Sequence, residues 1–356
     1  MSVIHPEPGG GVPNHRRHQH AVPGVLDVVC AISNPIRYRS RFDLYRAFEK
    51  HMRCSGVRLT TVECAFGDRP FEVTEADNPR HVQVRTREEL WLKENLLNIG
   101  ISRLPQDWKY VAWIDADLTF LRPDWAQETI QALQHWDIVQ PFSHSVNMGP
   151  TYHPLFDSHR KGVKEQRKVV ASWLYCHFNQ IPRDGEKKPF RKRLASDGMG
   201  QDYMIEDPTT GHFWHSGFAW AARREAIDTI GGLLDWAILG SADRHMADFM
   251  IGFDNWNPKL SDGYRHLLNV HKKRFDRLNG NFGYVDGMVA HHYHGKLVNR
   301  MYTDRWKLLY KHQFDPVTDL IRNWAGVYQI TPDKPALRDD IRRYFRARAE
   351  DSIDMD

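Results

Sequence analysis

Residues 109–120 read KYVAWIDADLTF. Val111, Ala112, Trp113 and Ile114 make an apolar run too short for a helix, closed abruptly by acid. That is the pattern of a strand buried on both faces of a parallel sheet. Two carboxylates, Asp115 and Asp117, stand where the run ends. Open α/β sheets hold their ligands at the carboxyl ends of their strands. A pair of carboxylates two apart there suits a hard divalent cation, Mn2+ or Mg2+, which takes few carboxylates and fills its shell with a substrate's phosphate oxygens. The plainer alternative is a solvated turn, since D-x-D is a frequent string.

Upstream, VLDVVCAI (25–32), VRLTTVECAF (57–66) and HVQVRT (81–86) have the β-branched character of strands. RFDLYRAFEKHMR (41–53) is a helix by spacing, with Leu44, Phe48 and Met52 at i, i+4 and i+8. Thr86 followed by Glu89 is a capping-box pattern; it predicts a helix over 87–98, with Gly100 just past its end. Strand, helix, strand, helix, strand implies an α/β fold built on a nucleotide-binding half. Downstream, RKGVKEQRKVVASWLYCHF (160–178) reads as a helix with Val163, Val170 and Leu174 on one side. FWHSGFAWAARREAIDTIGGL (213–233) returns to strand and then helix, and the last fifty residues read as helices.

Two further strings carry chemistry-bearing side chains. Residues 289–295, VAHHYHG, hold His291, His292 and His294. Imidazole is a common transition-metal ligand and would complete a mixed site better suited to Mn2+ than to Mg2+. His291 with His294 shares one side of a helix or bend, and His292 with His294 one face of a strand; spacing does not choose. In LGSADRHM (239–246), the small residues before Asp243 let backbone approach a substrate, and Asp243 suits a general base. The bland reading of that string is a helix N-cap by Ser241 or Asp243.

The chain has 356 residues, 49 Lys or Arg against 45 Asp or Glu, a net charge of +4, and 41% hydrophobic residues. These values exclude a disordered chain, a collagen-like repeat and an integral membrane protein. No apolar run nears the roughly 20 residues of a membrane helix. Cys30, Cys54, Cys64 and Cys176 form no C-x-x-C and read as reduced thiols. Residues 1–24, rich in Pro, Gly and His, read as a disordered tail. Residues 160–193 carry eleven Lys or Arg and three acids, a net +8, with Trp173, Tyr175, Phe178 and Phe190 interleaved.

Taken in order, these strings resemble metal-dependent glycosyltransferases of the GT-A fold, in particular the β-1,4-galactosyltransferase-like family. Pro35-Ile36-Arg37-Tyr38-Arg39 resembles that family's P-F-R-N-R loop after the first strand, and Lys93–Gly100 its A-K-L-L-N-V-G helix. Asp115-Ala116-Asp117 resembles its DxD, and Gly240-Ser241-Ala242-Asp243 its G-G-E-D, with Ala242 in place of the Glu. Phe218–Arg224 followed by Gly231-Gly232 is similar to a stretch that precedes the base in such enzymes. AWIDADLTF and HGKLVNRMY also resemble glycosyltransferase-like proteins of tailed bacteriophages.

The resemblance implies a nucleotide-sugar-binding mixed sheet flanked by helices, and an inverting hexosyl- or pentosyltransferase. Its metal would sit on Asp117, His291 and His294, and its base would be Asp243. The donor, a UDP-sugar by analogy, would be bound through Pro35, Arg37, Arg39, Asn95, Asp115, Lys296 and Arg300. Trp173, Trp214 and Trp220 are candidates for stacking on an acceptor, or for core. The expected divisions are a nucleotide-sugar-binding half (25–150), a basic acceptor-side insertion (151–212), a catalytic and acceptor half (213–305) and a C-terminal helical extension (306–356).

The basic, aromatic insertion suggests nucleic acid, where phosphates draw Lys and Arg and bases stack. A phage-like enzyme would then act on a hydroxylated (hydroxymethyl) base in DNA, in the host cytoplasm and without a membrane anchor. A glycan or small-molecule acceptor is the alternative. Two other classes compete. A haloacid-dehalogenase-like phosphatase would use Asp115 as nucleophile, Asp117 as acid, and Asp243 with Asp248 on the metal. A non-catalytic nucleic-acid-binding protein would keep the fold alone.

Overall fold

The computed structural model describes residues 24–151, 156–157, 166–167, 169–181, 191–193, 204–206, 214–296, 298–302 and 304–353. The His-rich tail and most of the basic insertion, Phe190 included, lie outside them. The elements run β1 (Leu26–Ser33), α1 (Arg39–Cys54), β2 (Arg58–Phe66), β3 (His81–Thr86), α2 (Lys93–Ile101), β4 (Tyr110–Ile114) and β5 (Leu118–Phe120). Next come α3 (Trp125–Ala132), β6 (Ile138–Gln140), β7 (His144–Asn147), β8 (Phe156–Asp157), β9 (Gln166–Arg167), β10 (Val169–Ala171), α4 (Trp173–Phe178), β11 (Arg191–Arg193) and β12 (Met204–Glu206). The remainder is β13 (Ala219–Arg223), α5 (Arg224–Ile230), α6 (Ala242–Met250), α7 (Asp262–Asp276), β14 (Phe282–Tyr284), β15 (Met288–His291), α8 (Asp304–Lys311), β16 (Leu320–Arg322), β17 (Tyr328–Ile330) and α9 (Pro335–Ala347).

A seven-stranded mixed sheet in the order β14-β6-β13-β4-β1-β2-β3 forms the centre. β4, β1, β2 and β3 are parallel, and β13 runs antiparallel between β4 and β6. Side chains alternate across this sheet, as strands require. Val29, Val111 and Trp113 pack to the side of α2, α6 and α7, while Val28, Cys30, Ala112 and Ile114 pack to the side of α1 and α3. The expected α/β architecture, a mixed sheet with helices on its faces, is therefore present. α1 buries Leu44, Phe48 and Met52 as its spacing predicts. The four cysteines are free, and no helix among the described residues is long and apolar enough to cross a membrane.

A second sheet, β10-β7-β15-β5, stands at the carboxyl edge of the first. The chain passes from one to the other between Ile114 and Leu118, so Asp115 and Asp117 lie in the junction. β15 pairs with both β7 and β5, with His291 opposite Leu118 and Asn147. The end of β15 is thereby brought beside the end of β4, from 174 positions further along the chain as measured from Asp117 to His291.

Four sequence expectations are corrected. The last fifty residues are not helices throughout, since β16 and β17 pair antiparallel between α8 and α9. The helix predicted over 87–98 starts only at Lys93. Leu90 and Leu92 are buried in irregular chain before the helix, Trp91 N–H donates to Ile238 O at 2.9 Å, and the Glu89 carboxylate that would complete a capping box instead takes Arg346. Gly100 is not a helix stop but lies inside α2. A Cβ there would come within 2.5 Å of Val29 and 2.7 Å of Val62, so glycine is what lets the helix lie against β1 and β2. Around Val170, the chain is strand rather than helix. β10 pairs antiparallel with β7, and Ser172 then caps the short α4, its Oγ accepting from Tyr175 N–H; Val163 lies outside the described residues.

Candidate active site

Asp117, His291 and His294 converge. Their ligand atoms lie within 4.8 Å of one another, with Asp117 Oδ2 at 3.7 Å from His291 Nε2 and 3.0 Å from His294 Nε2. His292 turns away: its Nε2 is 2.8 Å from Thr119 Oγ1, and its backbone N–H donates to Asp117 O. The choice among the three histidines that spacing left open falls to the i, i+3 pair. β15 ends at His291, and the chain bends before His294 comes back to the same side.

The electrostatics favour a cation at this point. Asp117 Oδ1 is buried and has no hydrogen-bond partner, an arrangement that costs stability unless something satisfies it. Burial resists charge on Asp117, but the His291 and His294 rings turned toward it prevail and hold its carboxyl well below the usual range. Burial, and then the Arg300 guanidinium, pull His294 down to about 4. It is therefore in the neutral form, the form of imidazole that can hold a metal. His291 Nδ1 lies 2.8 Å from Asn147 Oδ1; a proton held there leaves Nε2 as the free donor to a metal. One carboxylate and two imidazoles is a donor set that fits Mn2+.

These groups line a cavity of about 190 Å3 at the carboxyl ends of β1 and β4. Its wall includes four carboxylates (Glu94, Asp115, Asp117, Asp243) and five cations (Arg41, Lys93, Arg300, Arg305, Arg348), together with Trp91, His215 and Tyr302. Lys93, at the first turn of α2, is ion-paired with Asp115. Burial alone would discharge Lys93, yet Asp115, Glu94 and Asp243 around it outweigh that and raise its pKa. Burial, with Asp243 and against Lys93, pushes Glu94 up to about 8. Asp243 sits in the first turn of α6, its Oδ1 accepting from Arg244 N–H at 2.8 Å. Ser241 before it is no ordinary cap: it has a left-handed φ of 79° and its Oγ accepts from Arg305. Burial, then the neighbouring His291, lower His215 to about 3. Its ring stacks on Phe218 with centroids 3.7 Å apart.

Of the sequence-derived candidates, Asp115, Asp117, Asp243, His291, His294 and Arg300 meet at this cavity. The structure places the others away from its wall. Arg37 pairs with Glu72 beside a separate shallow hollow, and Arg39 is a surface residue paired with Asp43. The Pro35 carbonyl accepts from Arg69. Asn95 is fully buried: its Nδ2 donates to Gly326 O and its Oδ1 accepts from Tyr328 N–H, so it ties α2 to β17. Lys296 is not in the wall. Trp173 and Trp220 are core residues at 0% and 2% exposure, and Trp214 packs edge-on against Trp173.

Sequence reasoning does not reach Arg41, Trp91, Glu94, His215, Arg305, Arg348 or, behind them, Glu350. Arg348 carries no local signal because a cation at the C-terminus of a helix is routine, and Arg41 is one of two arginines in the first turn of α1 with nothing local to single it out. Lys93 and Glu94 open the string 93–100, but nothing local gives them a task. Asp248, a metal acid on the phosphatase reading, is tied to Arg244 at 2.9 Å and is not in the cavity wall.

No protein-family model matches the chain, and no curated protein does. Among solved structures, the catalytic domain of Drosophila β-1,4-galactosyltransferase 7 with xylobiose matches at a TM-score of 0.33 and 9% identity, over 88% of this chain and 98% of that one. A mutant of that Drosophila enzyme with manganese, UDP-Gal and xylobiose matches at 0.30 and 11%, over 74% of this chain and 65% of that one. TarS of S. aureus matches at 0.30 and 10%, over 65% and 56%. This chain thus spans less than two thirds of two of those three structures. At such overlap the likeness carries no argument about function; the geometry of the cavity has to carry it.

Proposed function

We propose that this protein is a metal-dependent glycosyltransferase of GT-A type that moves a sugar from a nucleotide-sugar donor to an acceptor hydroxyl. The observation that carries the reading is the meeting of Asp117, His291 and His294 at one wall of a cavity that also holds Asp243 and five cationic side chains. Asp117, His291 and His294 hold Mn2+ or Mg2+, which when bound supplies Lewis-acid stabilisation of the departing diphosphate.

The rest is done by the chain itself. Arg300 and Arg305, both buried, and Lys93 face the diphosphate and offset the charge that grows on it. Asp115, held by Lys93, orients the ribose or the sugar. Asp243 takes the acceptor's proton as its oxygen attacks the anomeric carbon from the face opposite the leaving group. One base without a covalent nucleophile implies inversion, by the logic that separates inverting from retaining glycosidases. For the acceptor, the net +8 stretch at 160–193 supports a hydroxylated base in DNA over a glycan. Duplex binding that falls steeply with salt supports that choice, and no binding at low salt removes it.

The test is a thermal-shift and calorimetric screen of UDP-, GDP-, CMP- and TDP-sugars with and without Mn2+. A donor present at 100 times its Kd stabilises the fold by about 2.7 kcal/mol. A UDP-sugar that raises the melting temperature only with Mn2+ is the expected result. If no nucleotide sugar does so, the proposal fails.

A further inference from the structure

Each of the two imidazoles in the metal corner has a second nitrogen that must go somewhere. For His291 it meets Asn147 Oδ1 at 2.8 Å. For His294, Nδ1 is buried and makes no hydrogen bond, and the nearest anionic oxygen is Glu350 Oε2 at 3.8 Å. Glu350 is 2% exposed. Its carboxylate is gripped by Arg41, through Nε and through Nη2 at 2.7 Å, and by Arg348 Nε at 2.5 Å. A buried carboxylate this firmly held has one direction still open, toward the ring of His294.

The backbone is built for the approach. Gly295, the residue after His294, has φ +83°, and a Cβ on it would stand 2.9 Å from Glu350 Cα and 3.1 Å from Ala349 O. Only glycine lets the loop that carries His294 lie flat against the segment that carries Glu350. The segment is fixed on its other side to the start of α1. The Tyr38 hydroxyl donates to Phe345 O at 2.9 Å and accepts from Ala349 N–H, and the Asp351 carboxylate accepts from Arg39 N–H at 2.9 Å and Ser40 N–H at 2.8 Å.

We infer that Glu350 is a positioning residue for His294: its carboxylate accepts a hydrogen bond from Nδ1–H, which keeps the proton there and aims Nε2 at the cation held with Asp117 and His291. Carboxylates behind ligating histidines raise their basicity and fix their tautomer. The inference rests on the proposed metal site and adds to it the segment after α9, which no motif placed there.

The experiment compares Glu350→Ala and Glu350→Gln with Asp351→Asn in the full chain, using Mn2+ alone as the probe, by calorimetry and by electron paramagnetic resonance of the free ion. Asp351→Asn loosens the same segment without touching His294. Glu350→Ala weakens Mn2+ binding 10- to 100-fold. Glu350→Gln, which keeps an acceptor oxygen, recovers part of the loss, and Asp351→Asn stays within about twofold of the native protein. A folded Glu350→Ala variant with native Mn2+ affinity overturns the inference alone, as does Asp351→Asn weakening binding equally. Absence of Mn2+ binding by the native chain overturns the metal site and the inference with it. Should the Glu350 variants not fold, proton–nitrogen correlation spectra of the native chain with Mg2+ decide. A His294 proton on Nδ1, shifted downfield by its hydrogen bond, supports the assignment, and a proton on Nε2 overturns it.

Discussion

Two carboxylates at the carboxyl edge of the central sheet, Glu63 buried and Asp117 half-buried, have opposite surroundings. Glu63, near the end of β2, is 3% exposed, and its oxygens are filled by Glu72 N–H at 2.7 Å, Val73 N–H at 3.1 Å and the Thr74 hydroxyl at 2.6 Å. All three donors come from within eleven positions of it. Asp117, just past β4, has one oxygen with no partner and the other turned to two imidazoles from the far half of the chain. The first arrangement is a brace: it pins the loop after β2 and leaves nothing to offer. The second is an opening, stable only because surrounding elements hold it. A filled carboxylate contributes to stability, whereas an open one is kept for a ligand.

The widest gap between the two sites is expected from Asp117→Asn. Mn2+ binding disappears and transfer falls about 10³-fold, while the melting temperature without metal holds or rises. A large loss of metal-free stability would mean that Asp117 is a second brace. Next is Asp243→Asn: transfer drops by about 10² to 10⁴, with Mn2+ and donor affinity kept, as calorimetry and turnover on one sample will show. Glu63→Ala is the mirror experiment. It strands buried donors and costs about 3 kcal/mol in urea unfolding, but Mn2+ affinity in the folded fraction is unchanged.

A smaller effect concerns a buried acid of the cavity wall, Glu94. Its folded-state pKa of about 8 lies above the 4.5 of an ordinary glutamate. Its contribution to stability is therefore fully present below about pH 4.5 and is lost as pH rises through about 8. Melting temperatures from pH 6 to 9 fall for the native chain, and the fall is shallower for Glu94→Gln; equal slopes would remove the assignment. The smallest effect is for Arg39→Ala, a surface change away from both carboxylates, which leaves donor affinity within about twofold.

The contrast also marks how far the sequence can be read. The strand around 109–114 is legible from its continuous apolar run and that at 81–86 from its alternating β-branched residues, and Asp115 and Asp117 are legible because their place follows from the strand before them. The start of α2 is not. Thr86 and Glu89 satisfy a local capping rule, but Glu88 and Glu89 are taken by Arg338 and Arg346 of α9, about 250 positions away. The pairing of His291 with His294 requires the bend after β15. Arg41 meets Arg348 and Glu350 only through tertiary packing, from 309 positions before Glu350, and nothing in its neighbourhood announces it. Trp173 and Trp220 stay ambiguous in the sequence for the converse reason: an aromatic side chain reads the same whether it faces a ligand or a core.

The Tyr38 hydroxyl contact with Phe345 O closes a loop of 307 positions. Closures of that span come late, because chain entropy opposes them until the intervening elements are packed. On refolding from urea, helical circular dichroism should therefore return before the chain can hold Mn2+. The lag between those signals would time the moment when the two ends of the fold are fastened together.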